Sequence, residues 1–279
     1  MFAVRALKTT EFPQAADLMT RAYGGGSFLE RITLQHALEP QGCLGIWSGP
    51  ELLGTVQYVV YGPYAVIGLV ATEPGAQGRG VARAGMDFVL GTLEQRGIET
   101  TVLDASALGK PLYDTLGFLE RGTSYRYKLR DGLLAGRFGE APRAPRVRHA
   151  QPKDLSWMLE LDFQAMGADR SRLLQALFAQ AGVRVGVLEG RGFAFVCGTQ
   201  IGPLIARGPQ AARALLEAVL TLEFASAPEV CVPAQNPQVC TLLEEQGFER
   251  QKVLTYMERG PARAADSSLR WAMTSFALG

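Results

Sequence analysis

The apolar positions of the first 130 residues alternate between strand-like runs and one clear helical stretch. CLGIWSG, from Cys43, and ELLGTVQYVVYG, from Glu51, are apolar runs joined at Gly49-Pro50, and they predict neighbouring strands across a turn. YAVIGLVAT, Tyr64–Thr72, predicts a third strand. From Gly80 to Gln95 the period lengthens. Ala82, Met86, Val89 and Leu93 fall at 4-3-4 spacing, the stripe of an amphipathic helix, and Gly97 is its stop. TTVLDAS, from Thr100, predicts another strand and GKPLYDTLG, from Gly109, a short helix. Strands that cluster early and then alternate with helices imply one mixed sheet with helices on its faces.

The two halves of the chain echo each other. VRALKTTEFPQAADLM begins at Val4 and VRHAQPKDLSWMLEL at Val147, and each predicts a short strand, a polar turn and an amphipathic helix. LGFLERGTSYRYKLRDG begins at Leu116 and QGFERQKVLTYMERG at Gln246. Between the halves, RDGLLAGRFGEAPRAPR with Pro142 and Pro145 has the composition of a linker. The expectation is two similar domains, 1–130 and 146–279, joined by a linker over 131–145.

Composition narrows the partners. The chain has 279 residues, 47% hydrophobic, and a formal net charge of +1, so nothing points to nucleic acid. No apolar stretch approaches the ~18 residues of a membrane span. The opening MFAVRALKTTEF lacks the apolar core and cleavage site of a signal peptide, so a cytoplasmic protein is expected. Cys43, Cys197, Cys231 and Cys240 form no Cys-x-x-Cys pair, and with only His36 and His149 no metal site is expected. Buried thiols are the simpler reading.

The segment that stands apart is EPGAQGRGVARAG, from Glu73. A strand, a glycine-rich loop and a helix start offer unpaired N–H groups and a positive dipole end, a setting suited to phosphate. Gly78 and Gly80 remove side-chain crowding and Arg79 adds charge. The dinucleotide pattern fails because Arg83 stands at its last glycine, and Pro111 after Lys110 breaks a P-loop. From the glycines alone an ordinary turn reads as well.

The context is more specific. Gln77-Gly78-Arg79-Gly80-Val81-Ala82 after a strand and a proline resembles the acetyl-CoA motif of the GNAT superfamily of N-acetyltransferases. DASALGKPLYDTLGF, from Asp104, resembles the family's later strand and short helix, with Tyr113, Gly117 and Phe118 at its spacing. The second half is similar, more loosely, to the C-terminal GNAT-like domain of tandem bacterial acetyltransferases, through FQAMGADRSRLLQAL, IGPLIA, VPAQNPQVCTLLEEQGF and SFALG. The resemblance implies an α/β (α+β) fold of two GNAT-like domains, each a mixed, mostly antiparallel twisted sheet with helices on both faces.

It also implies a site. The strand Tyr64–Thr72 splays from Thr101–Ser106. Acetyl-CoA lies in the gap, with its pantetheine arm along Val70, Ala71 and Thr72 and its pyrophosphate on the N–H groups from Gly78 to Ala82. Ser106 stands where the family often has a CoA-contacting Asn. An amine attacks the thioester directly, helped by a backbone N–H near Ala71 or Thr72 at the oxyanion. Tyr113 is the candidate acid for the departing thiolate. Glu73 and Asp104 are candidate bases, although each reads first as a solvated strand-end charge. AYGGGSF, from Ala22, lies where the family has its acceptor loop. His36 reads as a surface or partly buried residue, and Asp169-Arg170 as a helix start, with an acceptor role as the alternative.

In the second half Leu243 replaces Tyr113 relative to the Gly-Phe pair, and Gly208-Pro209 replaces the glycine loop. Pro209 has no N–H to offer phosphate. One acetyl-CoA per chain is therefore expected, although Asn236 matches the family's Asn. The function expected is N-acetylation of a small-molecule amine, with a protein or peptide amine, or a non-catalytic acyl-CoA sensor or scaffold, as alternatives. No feature fixes the acceptor or the oligomeric state.

Overall fold

The structure, a computed structural model, describes residues 2–133, 147–233, 235–262 and 264–279. The first half runs β1 (Ala3–Ala6), α1 (Phe12–Tyr23), α2 (Leu29–Leu38), β2 (Cys43–Ser48), β3 (Glu51–Tyr61), β4 (Tyr64–Thr72), α3 (Val81–Gln95), β5 (Thr100–Ala105), α4 (Lys110–Thr115) and β6 (Leu119–Leu129). The second runs β7 (Arg148–His149), α5 (Leu155–Met166), α6 (Ser171–Ala179), β8 (Arg184–Leu188), β9 (Gly192–Cys197), β10 (Gln200–Ala206), α7 (Pro209–Val219), β11 (Glu229–Val232), α8 (Gln238–Glu245), β12 (Phe248–Arg259) and β13 (Arg270–Ala272). The predicted linker lies mostly in 134–146, outside the described residues.

The elements follow the predicted pattern closely. β4 coincides with the predicted strand, and α3 begins one residue after Gly80. Its buried stripe is Val81, Gly85, Met86, Val89, Leu90 and Leu93. Ala82 is only half-buried, because the turn before the helix points Val81 inward instead.

All thirteen described strands join in one mixed, mostly antiparallel sheet, ordered β1-β2-β3-β4-β5-β12-β6-β11-β10-β9-β8-β7, with β13 beside β10. The order is nearly palindromic. β4–β5 and β10–β11 are the parallel pairs of the two halves. At the centre the halves exchange their last long strands: β12 lies between β5 and β6, and β6 lies between β12 and β11. Residues from Leu119 to Leu129 thus pair antiparallel with Phe248–Glu258, and the sheet continues across the predicted division. Neither half closes its own sheet without a strand of the other.

The core is shared in the same way. α1 packs over β2–β4 through Phe12, Leu18, Met19 and Trp47. α3 and α4 cover the opposite face through Val89, Leu93, Tyr113 and Phe118. α7 and α8 do so in the second half. The fourth cluster joins Tyr61, Tyr64, Val66 and Val102 of the first half to Met158, Leu161, Leu173 and Leu174 of α5 and α6. Beneath it Arg170, expected at a helix start, is sealed in an ion pair with Asp162 at 2.6 Å, both side chains almost wholly buried. Arg170 is therefore a fixture of the interface. Asp169 instead accepts the Ser171 N–H at 2.8 Å, an ordinary turn.

Candidate active site

β4 and β5 pair only at Tyr64–Val66 with Thr100–Val102, and then part. Just beyond the split β4 carries a bulge. Gly68 faces Gln57 and Ala71 faces Thr55, so an extra residue is accommodated between them. Leu69 takes φ +50°, a left-handed conformation that costs a non-glycine residue roughly 1–2 kcal/mol. Two hydroxyls brace it: Thr55 Oγ1 donates to the Leu69 carbonyl at 3.1 Å and Tyr23 Oη to the Val70 carbonyl at 2.9 Å. The irregular backbone is thus at Leu69–Val70. Ala71 and Thr72, where the oxyanion donor was expected, are back in register with Thr55 and Gly54.

The glycine loop follows. Pro74–Ala76 form a single 3-10 turn, pinned by buried Ala76, and Gln77, Gly78, Arg79 and Gly80 are exposed. Gly78 and Gly80 have φ +74° and +83°, which L side chains rarely adopt, and the space beside both is open. No side chain caps α3, whose first N–H groups face that opening. An open cradle with orphan donors suits a diphosphate, so the residues present fit the group the family uses.

Tyr113, in α4, is 7% exposed and meets the Phe118 ring edge-on at 6.0 Å. Burial pushes its phenol up to about 12, so it keeps its proton at neutral pH. Ser106 is exposed, and its Oγ accepts the Gly109 N–H at 3.2 Å at the start of α4.

The two candidate bases part company. Glu73 is held by Arg21 in a forked contact, 2.8 Å to Nη2 and 3.1 Å to Nε, and that hydrogen bonding moves its carboxyl below the usual range. A carboxylate so engaged is a weak base, and Glu73 is better read as a clamp between α1 and the end of β4. Asp104 lies two residues past the β4–β5 split, opposite Tyr256 of β12. Desolvation pushes it up to about 7, against smaller opposing effects of Ser124 and Arg270. The Ser124 hydroxyl is close enough to be felt, yet neither it nor Asp104 Oδ1 completes a hydrogen bond.

Asp104, Ser124, Arg126 and Cys231 share one face of the central strands by register, an arrangement that no local motif announced. Tyr23 and Arg31 approach that face from the α1–α2 side, and Phe276 of the segment after Leu269 lies over Arg126. Tyr23 was in the quoted AYGGGSF, while Ser124 and Arg126 are brought beside Asp104 by the exchanged strands. His36 packs edge-on against Phe12 at 5.1 Å, away from this chemistry.

In the second half β10 and β11 also part, after Ile201–Val230. There the gap is filled. β13 pairs with β10 at Leu204 and Ile205, and the Met273 N–H donates to the Cys231 carbonyl at 2.8 Å. Trp271 Nε1 donates to the Ala206 carbonyl at 3.1 Å. Asn236 donates to the Ser268 and Arg270 carbonyls at 3.3 and 3.0 Å, so the residue that matched the family's CoA-contacting Asn grips backbone of its own chain. The segment then crosses to the first half. It passes Gly202 and Gly68 so closely that a Cβ at either would collide, and Tyr61 Oη donates to the Leu278 carbonyl at 3.1 Å.

Among the described residues no group of three or more His, Cys, Asp or Glu could hold a metal ion, and no helix is long and apolar enough to cross a membrane. The four cysteines are free thiols.

The comparisons with known proteins agree with this geometry. The description "Acetyltransferase (GNAT) family" matches residues 12–118 and "Acetyltransferase (GNAT) domain" matches residues 158–270. A crystal structure of a Pyrococcus horikoshii protein assigned provisionally to the acetyltransferases superposes with a TM-score of 0.89 at 25% identity, over 100% of this chain and 96% of that one. A GCN5-related N-acetyltransferase from Sphaerobacter thermophilus gives 0.69 at 15% identity, over 95% and 98%. One from Kribbella flavida gives 0.59 at 21%, over 93% and 71%. These two speak to the fold alone. No curated protein matches the chain significantly.

Proposed function

Because the chain belongs to the GNAT acetyltransferases, with two GNAT domains in tandem, we propose that its first half moves an acetyl group from acetyl-CoA directly to the primary amine of a small molecule. The observation that carries this reading is the parting of β4 and β5, with an uncrowded glycine cradle at one end, Asp104 on β5 just past the split and Tyr113 in the helix that follows. In this reading the N–H groups from Gly78 to Ala82, with Gln77 and Arg79, hold the pyrophosphate. The edge of β4 at Val70–Thr72 lines the pantetheine arm, and Ser106 flanks it. Acetyl-CoA, when bound, supplies an activated thioester.

The protein's own groups do the rest. Asp104, a carboxylate above about pH 7, takes a proton from the incoming ammonium. The braced bulge at Leu69–Val70 holds backbone dipoles fixed beside the split, where an oxyanion develops. Tyr113 keeps its proton and gives it to the leaving sulfur. Glu73 takes no proton in this scheme, because Arg21 holds it. The second half binds no acetyl-CoA: its gap is closed by β13 and its loop offers Pro209 at the helix start.

The test is thiol release from acetyl-CoA against a panel of small amines, with calorimetric titration of acetyl-CoA alongside. Amine-dependent release is expected. Saturable binding with no release to any amine would replace the enzyme by a sensor, and no binding would sink the cofactor assignment.

A further inference from the structure

One face of the central strands gathers positive charge. Arg126 of β6 and Lys252 of β12 are directly opposite each other on neighbouring strands. Like charges so placed destabilise a sheet. Arg126 has Cys231 of β11 on its other flank, and its guanidinium lies 5.5 Å from the Phe276 ring. Its Nε is buried without a hydrogen bond, and the carboxylate paired with it, Glu229, stays 3.6 Å away. Arg31 reaches from α2 to the same place, with its guanidinium 5.4 Å from the Phe28 ring. Burial and Arg126 together lower the titration of both Arg31 and Lys252, so each of them feels Arg126. Glu229 pairs with Arg126, while no ion pair holds Arg31 or Lys252 among the described residues, at a spot assembled from α2, β6, β12 and β11. Asp104 faces Tyr256 and Arg126 faces Lys252, four residues apart on β12, so the cluster and the candidate base share one face of the sheet.

Resting on the acetyltransferase reading above, we propose that the acceptor is an amine that also carries a carboxylate, held by Arg126, Lys252 and Arg31 while its amine faces Asp104. A guanidinium fork matches a carboxylate in two-point contact, and the Nε of Arg126, in ion-pair range of Glu229 but without a hydrogen bond, is a donor left over for it. An incoming anion also relieves the repulsion between Arg126 and Lys252. The substrate class is then amino acids and related amino carboxylates rather than simple polyamines.

The experiment compares amines with and without the acid group: lysine against 1,5-diaminopentane, phenylalanine against phenethylamine, serine against ethanolamine, with phosphoethanolamine as a further arm. In at least one pair the carboxylate member is expected to have a kcat/KM about 10–100-fold higher, the worth of one or two hydrogen bonds to charged groups. Arg126→Gln and, separately, the more exposed Lys252→Gln are expected to shrink that ratio toward one, chiefly through KM. Lys252→Gln is expected to melt no lower than the parent, since a like-charge contact is removed. Equal or better use of the decarboxylated amines in every pair would overturn the proposal. So would a preference for phosphoethanolamine over ethanolamine with none for serine. If no amine releases thiol, the transfer reading fails, and calorimetry of each pair in the presence of CoA decides this inference separately. Tighter binding of the carboxylate member, lost in Arg126→Gln, supports it, and equal binding refutes it.

Discussion

Asp104→Asn separates activity from stability in opposite directions. The Asp104 carboxyl titrates near 7 in the folded protein, against about 4 for an unperturbed Asp. Between those values the folded chain keeps a proton that the unfolded chain has released. The contribution to stability is intact below about pH 4 and is lost as pH rises through about 7. Raising the midpoint from about 4 to about 7 corresponds to at most about 4 kcal/mol of penalty for holding the charged form above pH 7. Asparagine carries no charge at any pH. Urea unfolding is therefore expected to find the variant about as stable as the parent at pH 4 and more stable at pH 8, by up to about 4 kcal/mol. Activity is expected to move the other way. The parent's kcat/KM should rise tenfold per pH unit below about 7 and flatten above it, apart from the acceptor amine's own titration, which both proteins share. The variant should lack the step near 7 and be slower by about 10²–10⁴. A variant that keeps the parent's rate at pH 8, or keeps the same midpoint, would refute Asp104 as the base. A variant less stable than the parent at pH 8 would refute the desolvation argument for its titration.

Tyr113→Phe is expected to keep acetyl-CoA affinity, because the ring still packs on Phe118, and to slow transfer by about 10²–10⁴ in single-turnover kinetics; normal turnover would remove Tyr113 as the acid. Gly80→Glu places a side chain at φ +83° and a negative charge in the cradle, and a loss on the order of a hundredfold in calorimetric acetyl-CoA affinity is expected in folded protein. Unchanged affinity would take the cofactor away from this loop. Titration of the full chain is expected to give one acetyl-CoA, and two would mean that the segment Arg270–Met273 leaves its gap. Residues 146–279 alone are a poor substitute for that test, since β11 would lose its partner β6.

Local chemistry wrote much of this protein into its sequence. The period of the apolar positions determined β4 and α3 to within a residue, because each buries one side against its own neighbours. The glycines of the loop, the position of Tyr113 before Gly117-Phe118, and the loss of both in the second half are also short-range features. Such features were enough for the family and for naming a candidate cofactor loop.

What the tertiary structure alone decided involves residues far apart in the chain. Exchange of β6 and β12 leaves every local pattern unchanged, because a strand presents the same alternation whichever half supplies its partner. That exchange brings Arg126 opposite Lys252 and so gathers cations on one face of the central strands. Glu73 and Asp104 were indistinguishable as acidic strand-end residues. Arg21, 52 residues away in sequence, ties up the first, while the surroundings of β5 desolvate the second. Asn236 kept the family's residue type, yet its partners are the carbonyls of Ser268 and Arg270. A side chain's identity sets which bonds it can make, and only the packed chain sets which partner arrives.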